Sequence, residues 1–341
     1  MNCLPQNRMR FDDKFYAKKA FSRYFLGYTV LYISAMLILR GVVFILELLL
    51  PHLPKNTALA IVSVFNSTAF GIFFPYAILY LIGLPIMYLL IKNTRTWKIE
   101  KQPLGIGMFF VLFFVNVPFM LTGTLLGSGA SKIINSLLGL EDTGLFSDVP
   151  LWAIAILSLV VAPIFEELIF RKLLIDRIGV YGAWLSVIVS GLAFGAFHGT
   201  LEQIFYTTFG GIIFAFAYAK TGRIRYSVLL HVLFNFFWAM LPLLVSEYML
   251  NSTVTYQFIG TAILLGTKIG FAIIGFVLFI IGLSCGWFKL RDPKGTVKIT
   301  SSRARIMFFN LGSILFTLLS IYSLVTGIMP LADWLVFLGL R

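Results

Sequence analysis

Long apolar runs, separated by short polar connections, make up most of this chain of 341 residues. A run of about 20 apolar residues is long enough for one α-helix to cross the hydrocarbon layer of a membrane. The pattern predicts about nine helices, and the prolines inside the two longest runs predict kinks. The predicted bounds are 24–50, 58–91, 104–134, 150–171, 180–198, 204–219, 226–245, 258–287 and 307–328.

This pattern predicts an all-α fold, namely a polytopic transmembrane helical bundle of about eight to nine spans. We expect four parts along the chain, and the third of them carries the candidate chemistry. They are a basic amino-terminal segment 1–23, amino-terminal transmembrane helices 24–149, core helices 150–245 and carboxyl-terminal transmembrane helices 246–341. The amino-terminal segment lacks the short apolar core and cleavage site of a signal peptide, so we expect the first span to be the anchor.

Composition and charge agree with a membrane protein. The chain is 59% hydrophobic and 12% charged, with a mean hydropathy of +0.94, which leaves too little polar surface to cover a soluble globule. The net charge of +13 is concentrated in alternate connections, whereas connections such as 51–57 and 246–257 are acidic or nearly neutral. This positive-inside pattern predicts a multi-pass protein of the plasma membrane with a cytoplasmic amino terminus. It places the basic connections against anionic lipid and argues against a nucleic-acid partner.

Polar residues inside three of these helices form the candidate site. A carboxylate in a bilayer costs about 3 kcal/mol on insertion scales, so such residues usually serve a function. Residues four apart lie on one face of a helix, so motifs with this spacing can converge on one polar pocket. The motifs are Glu166-Glu167-x-x-x-Arg171, Phe194-x-x-x-His198 and His231-x-x-x-Asn235.

The residue types in these motifs suit a hydrolase that activates water. Hydrolysis of a peptide bond needs a base that takes a proton from water and donors that stabilise the oxyanion. A glutamate such as Glu166 can be the base. Histidine suits proton transfer or hydrogen-bond donation, and the Asn235 amide donates a hydrogen bond without adding charge.

The three motifs, in this order on successive helices, resemble those of the CAAX protease and bacteriocin-processing family of intramembrane proteases. The resemblance covers about residues 150–245. It implies a helical-bundle endopeptidase that cleaves near the carboxyl terminus of a peptide or membrane-protein substrate. In eukaryotic relatives that substrate is a prenylated CAAX protein.

The resemblance also implies a role for each motif residue. Glu166 and His198 would activate the water, whereas His231 and Asn235 would form the oxyanion hole. The residues expected to support the site are Glu167, Arg171 and Phe194.

Other kinds of site have weaker support in the sequence. Two histidines and a carboxylate also fit a zinc site with one position open to water. The zinc-protease motif His-Glu-x-x-His is missing, however, and Asn235 is a poor zinc ligand, so we predict no cofactor and keep zinc as the alternative. The aspartates lie near loops or termini, which argues against a paired-aspartate protease. The segment 127–129, Gly-Ser-Gly, lacks a matching catalytic histidine.

Two functions without hydrolysis are compatible with the same fold. One is a membrane scaffold, such as a bacteriocin immunity protein or a regulatory partner. The other is a transporter in which Glu166 and His231 relay protons. The oligomeric state is not predicted.

Two features of the fifth predicted helix concern its packing and its depth. Gly191, Gly195 and Gly199 follow the small-xxx-small spacing that permits close helix packing in membranes. If this helix begins at Val180, His198 is expected near the outer edge of the membrane, away from Glu166. A later start of the helix, a connection that dips into the membrane or a different local topology would instead let the motifs converge, and we favour convergence.

Overall fold

The computed structural model describes residues 6–140, 149–249 and 254–292, the single residues 296 and 305, and residues 307–328. Every regular element in these ranges is helical, which confirms the all-α prediction. Residues 250–253 of the predicted connection 246–257 lie outside the described residues, as do 329–341 of the carboxyl-terminal part.

The helices belong to two compact units. The first unit contains the four amino-terminal helices, the first residues of α6 (Leu151–Ile156) and the first half of α14 (Leu311–Ile328). These four helices are α1 (Gln6–Leu49), α2 (Lys55–Phe65), α3 (Thr68–Ala77) and α4 (Leu84–Ile91), with a π-helical turn Ile78–Gly83 between α3 and α4. Aromatic contacts such as Phe25 with Phe316, whose ring centroids are 4.9 Å apart, pack α1 against α14.

The second unit contains the remaining helices and the whole candidate site. It includes the end of α6 and the second half of α14. Its helices are α5 (Ile106–Leu138), α6 (Leu151–Ile156), α7 (Ala162–Glu167), α8 (Leu174–Ile178), α9 (Ala183–His198), α10 (Leu201–Thr221), α11 (Ile224–Asn235), α12 (Leu241–Met249), α13 (Val254–Ser284) and α14 (Leu311–Ile328). Helix α10 packs between α9 and α5.

Six helical segments are long and apolar enough to cross a membrane. They are Tyr16–His52, Phe70–Ile91, Ile106–Leu138, Leu151–Tyr181, Ile224–Tyr248 and Tyr256–Ser284. Helices α9 and α14 are apolar but shorter than a full span. The structure therefore establishes a multi-pass helical protein with six candidate spans, and the number of eight to nine stays a prediction.

Three predicted helix bounds were wrong. The first helix was predicted to begin at residue 24, but α1 begins at Gln6. The run 58–91 was predicted as one helix, but the helix breaks at Asn66, and the Ser67 hydroxyl accepts a hydrogen bond from the Phe70 backbone amide at 3.3 Å. A serine at this position satisfies a free amide at the start of a new helix. The run 150–171 was predicted to end at Arg171, but helical structure continues to Tyr181.

Glycines bring α9 and α10 into close contact, as the small-xxx-small spacing predicted. A Cβ atom on Gly195 would lie 2.7 Å from the Ile204 carbonyl oxygen, and one on Gly191 would lie 2.9 Å from the Ile212 amide nitrogen. Gly199 has a different role, because its φ of +64° ends α9 in the left-handed conformation.

Candidate active site

The two glutamates lie on α7, a short α-helical segment inside the span Leu151–Tyr181. A π-helical turn precedes α7 at Leu157–Val161, and another follows it at Leu168–Leu173. Single π-helical turns inside α-helices are rare and are frequent at functional sites, because they change the direction of side chains and leave carbonyls available. Glu166 is 5% exposed and Glu167 is fully buried, so both carboxylates face the interior of the second unit.

Glu167 joins two of the three motifs. Its Oε2 lies 3.0 Å from the Arg171 Nε, and its Oε1 accepts a hydrogen bond of 2.9 Å from His231 Nδ1. Removal of a buried carboxylate from water is costly unless it is paired and hydrogen-bonded. Glu167 meets this condition, and in doing so it holds His231 of α11 against α7.

Arg171 is fully buried and has several partners besides Glu167. Its Nη2 donates to the Gly211 carbonyl oxygen at 3.2 Å, and its guanidinium lies 4.4 Å from the centre of the Phe194 ring. An arginine over the face of an aromatic ring is attracted by the ring quadrupole. Arg171 therefore connects the glutamate motif both to α10 and to the Phe194 motif of α9.

His231 lies at the centre of the cluster. Its Nε2 lies 3.8 Å from Glu166 Oε2, and its ring stacks on Phe214 with centroids 4.9 Å apart. Phe194 packs edge-on against the same ring at 5.5 Å. Because a carboxylate only accepts hydrogen bonds, the Nδ1 that contacts Glu167 carries the hydrogen, and Nε2 is the atom that faces Glu166.

His198 is at the end of α9, where its Nδ1 lies 2.8 Å from the Phe194 carbonyl oxygen. A carbonyl oxygen only accepts, so Nδ1 carries the hydrogen and Nε2 keeps a lone pair. In the part of the chain that the structure describes, no hydrogen bond joins His198 to either glutamate, and the Phe194 ring packs against both imidazoles.

The structure places His198 at a depth similar to that of Glu166, a point that the sequence left open. The Ser190 hydroxyl donates to the Phe170 carbonyl at 2.8 Å, so α9 runs back alongside the helix that carries Glu166. His198 is eight residues beyond Ser190, and Glu166 is four before Phe170, so the two lie within about 6 Å of each other in depth. The sequence put His198 near the outer edge only if its helix began at Val180. The helix begins at Ala183, and the preceding helical structure continues ten residues beyond its predicted end, to Tyr181.

Asn235 ends α11, and its Nδ2 donates to the Ser158 carbonyl oxygen at 2.7 Å. Ser158 belongs to the π-helical turn before α7, and a second π-helical turn, Phe236–Met240, follows Asn235. The amide nitrogen has two hydrogens, so one remains available for another acceptor. The Ser158 carbonyl thus orients the Asn235 side chain. Side-chain motifs could not predict this role of Ser158, because it acts through its backbone.

Three further residues at the site were missed by the sequence analysis. Phe214 stacks on His231, Gly211 accepts from Arg171, and the Ser190 hydroxyl ties α9 to the glutamate helix. A buried phenylalanine or glycine resembles the rest of an apolar helix, so no pattern in the sequence distinguished Phe214 and Gly211. Ser190 is a polar residue on an apolar face, and that signal was available.

Among the described residues, no group of three histidine, cysteine, aspartate or glutamate side chains has the geometry to hold a metal ion. The absence of a cofactor stays a prediction. What the observed cluster offers is a buried carboxylate, Glu166, beside an imidazole that a second carboxylate and an arginine hold in place.

Comparison with known proteins agrees with the motifs. Residues 148–237 match the family described as "Type II CAAX prenyl endopeptidase Rce1-like", which confirms the family resemblance over this part of the chain. The chain is also 34% identical over 95 residues to the Bacillus subtilis (strain 168) protein named "Putative membrane peptidase YdiL". That match covers 26% of this chain and 36% of the relative. No solved structure matches the chain significantly.

Proposed function

We propose that this protein is an intramembrane endopeptidase of the CAAX type that hydrolyses a peptide bond with water activated by Glu166. The observation that carries the proposal is the buried contact of the glutamate motif with His231, in which Glu167 Oε1 lies 2.9 Å from Nδ1 and Glu166 Oε2 lies 3.8 Å from Nε2. The match of residues 148–237 to Rce1-like endopeptidases supports the same reaction class.

Charge balance favours one mobile proton in the cluster. Glu166, Glu167 and Arg171 together carry a net charge of −1 when ionised, and one further proton neutralises the buried group. Isolated charge is strongly disfavoured in a medium of low dielectric constant. In the proposed reactive state, this proton is on His231, which leaves Glu166 ionised and able to act as the base.

In the first step, Glu166 takes a proton from water while the water oxygen attacks the carbonyl carbon of the scissile peptide bond. His198 assists because its Nε2 has a lone pair and can accept a hydrogen bond from the same water. The carbonyl oxygen becomes negatively charged as the carbon–oxygen double bond becomes a single bond.

The oxyanion is stabilised by the N–H at His231 Nε2 and by the second amide hydrogen of Asn235. In the next step the carbon–nitrogen bond breaks, and Glu166 returns its proton to the leaving nitrogen. The products are a new carboxyl terminus and a new amino terminus. Glu167 and Arg171 position His231, and Phe194 packs between the two imidazoles.

The proposed substrate is a peptide or a membrane protein cut near its carboxyl terminus, without a metal or another cofactor. The substrate reaches the site from the lipid bilayer, and water reaches it from the cytoplasmic side. This orientation rests on the basic connections of the chain, which the positive-inside rule places in the cytoplasm.

Mass spectrometry of carboxyl-terminal peptides from membranes tests this function. Membranes with the wild-type protein should contain cleaved products that are absent from membranes with Glu166→Gln. The exposed Glu247 provides a matched control, since Glu247→Gln makes the same chemical change outside the cluster and should leave the products unchanged. Identical products with wild type and Glu166→Gln would favour a scaffold. If Glu166→Gln lost proton-coupled uptake and the wild type gave no cleaved peptide, a transporter would be favoured.

A further inference from the structure

A second polar site lies away from the glutamate–histidine cluster, between the end of α10 and the start of α11. It is a pocket of about 270 Å³. The lining residues are Lys101, Lys172, Tyr218, Gly222, Arg223, Ile224 and Arg225. Four of these seven residues are basic.

The positive charge of this pocket is only partly compensated. Asp176 forms an ion pair with Lys172 and accepts a hydrogen bond of 2.6 Å from the Tyr218 hydroxyl. In the ranges the structure describes, no ion pair engages Lys101, Arg223 or Arg225. An excess of three positive charges therefore surrounds the pocket.

Backbone contacts fix the walls of the pocket. The Gln102 amide donates to the Thr221 carbonyl at 2.9 Å, which holds the segment that carries Lys101 against the end of α10. Gly222 has a φ of +61°, and a Cβ atom there would lie 2.9 Å from the Ile99 carbonyl oxygen. These basic side chains consequently extend from a fixed backbone rather than from a long loop.

Two features at the start of α11 favour an anion in this pocket. The Nε of Arg223 is buried and has no hydrogen-bond partner among the residues that the structure describes, which is costly for a charged donor. No side chain caps the amino terminus of α11, and Arg225 lies in its first turn. Positive charge at this end of a helix is unfavourable unless an anion is bound there, because the helix dipole is also positive at this end.

We propose that this pocket binds the phosphate group of an anionic phospholipid. The candidate span Ile224–Tyr248 begins at the pocket, so the basic residues lie where an apolar segment starts and a lipid headgroup would be. Phosphate oxygens accept several charge-assisted hydrogen bonds from arginine and lysine at once. Basic pockets between transmembrane helices are known to bind lipid headgroups in this way.

Native mass spectrometry of the purified full chain tests the proposal by titration with phosphatidylglycerol and, separately, with phosphatidylcholine. The wild type should bind phosphatidylglycerol preferentially. The double variant Lys101→Gln/Arg223→Gln should bind it at least about tenfold more weakly, since each basic residue at an anionic membrane surface contributes to binding. The double variant Lys92→Gln/Arg291→Gln removes the same charge from exposed positions outside the pocket and should bind like the wild type.

A charge-preserving variant, Lys101→Arg/Arg223→Lys, separates loss of the site from loss of the fold and should retain preferential binding. Equal phosphatidylglycerol binding by wild type and Lys101→Gln/Arg223→Gln would overturn the proposal. So would binding of inorganic phosphate, added alone, as tightly as the lipid. The variant Lys101→Gln/Arg223→Gln could also keep its lipid affinity and show a raised KM for a cleaved peptide. That result would overturn the proposal and assign the pocket to the carboxylate of the substrate.

Discussion

Among the individual residues, Glu167 determines how the cluster works. Its contacts with Arg171 and with His231 Nδ1 leave His231 Nε2 directed toward Glu166. The sequence indicated that the motifs would converge, because residues four apart share a helix face. It could not indicate which glutamate contacts which partner, since that depends on the rotation of α7 between two π-helical turns.

The buried pair of Glu167 and Arg171 gives a test of stability. Arg171→Leu leaves the Glu167 carboxylate without its cation, and breaking a buried ion pair in this way typically costs about 3–5 kcal/mol. We expect a lowered thermal unfolding temperature, measured on the purified protein. The double variant Glu167→Gln/Arg171→Leu removes both charges and should recover much of the stability. A double variant no more stable than Arg171→Leu would contradict the role of this pair.

The position of Asn235 gives a test of catalysis. Asn235→Ala removes one oxyanion donor, and loss of such a donor typically lowers kcat by about 10²–10³-fold. We expect this loss in cleavage assays, with a smaller change in KM because the donor acts on the transition state. A raised KM in Asn235→Ala with kcat unchanged would instead indicate a role in substrate binding.

The zinc alternative is tested by removal of metal. Because the proposed reaction uses Glu166 as base and His231 with Asn235 as oxyanion donors, we expect cleavage to continue after treatment with a strong zinc chelator. Activity lost with the chelator and restored by added zinc would contradict the proposed mechanism and favour zinc.

At the level of the elements, the close contact between α9 and α10 holds the Phe194 motif next to Arg171. Sequence spacing predicted this contact correctly at Gly191 and Gly195, because small residues at every fourth position form a flat helix face. The π-helical turns were not predicted. No particular residue type marks the extra residue of a π-helical turn, so Ser158 could not be distinguished from the other residues of its apolar run.

Gly195→Ala tests this contact. The added methyl group would meet Thr208 and the Ile204 carbonyl, and overpacking of this kind usually costs about 1–3 kcal/mol. We expect a lower thermal unfolding temperature and reduced cleavage. Gly266→Ala on α13 is the matched control, because a Cβ there meets nothing within 4 Å. It should leave stability unchanged or slightly raised, since alanine favours helix. Equal behaviour of the two variants would contradict the role of α9–α10 packing.

For the whole molecule, composition together with the length of the apolar runs predicted the all-α membrane class, because a helix needs about 20 apolar residues to cross the bilayer. The bounds were harder to predict. Polar residues such as Asp176 and Arg177 suggested a helix end, yet both are buried in helical structure that continues to Tyr181. Tertiary contacts, including the hydrogen bond from the Tyr218 hydroxyl to Asp176, satisfy these polar side chains inside the fold.

The predicted orientation can be tested with single cysteines in a protein in which Cys3 and Cys285 are replaced. Lys98→Cys lies in a basic connection and should react with a membrane-impermeant thiol reagent only from the cytoplasmic side. Ser246→Cys, in a connection predicted on the other side, should react only from outside the cell. The reverse pattern would show that the orientation is wrong.

The central claim is that Glu166 activates water within the buried cluster, and the most direct measurement is the cleavage rate of a peptide identified from the membrane comparison. Purified protein reconstituted in lipid should cleave this peptide, and Glu166→Gln should lower the rate by about 10²–10⁴-fold, the usual contribution of a general base. Glu247→Gln should match the wild type. Cleavage by Glu166→Gln at the wild-type rate would contradict the account.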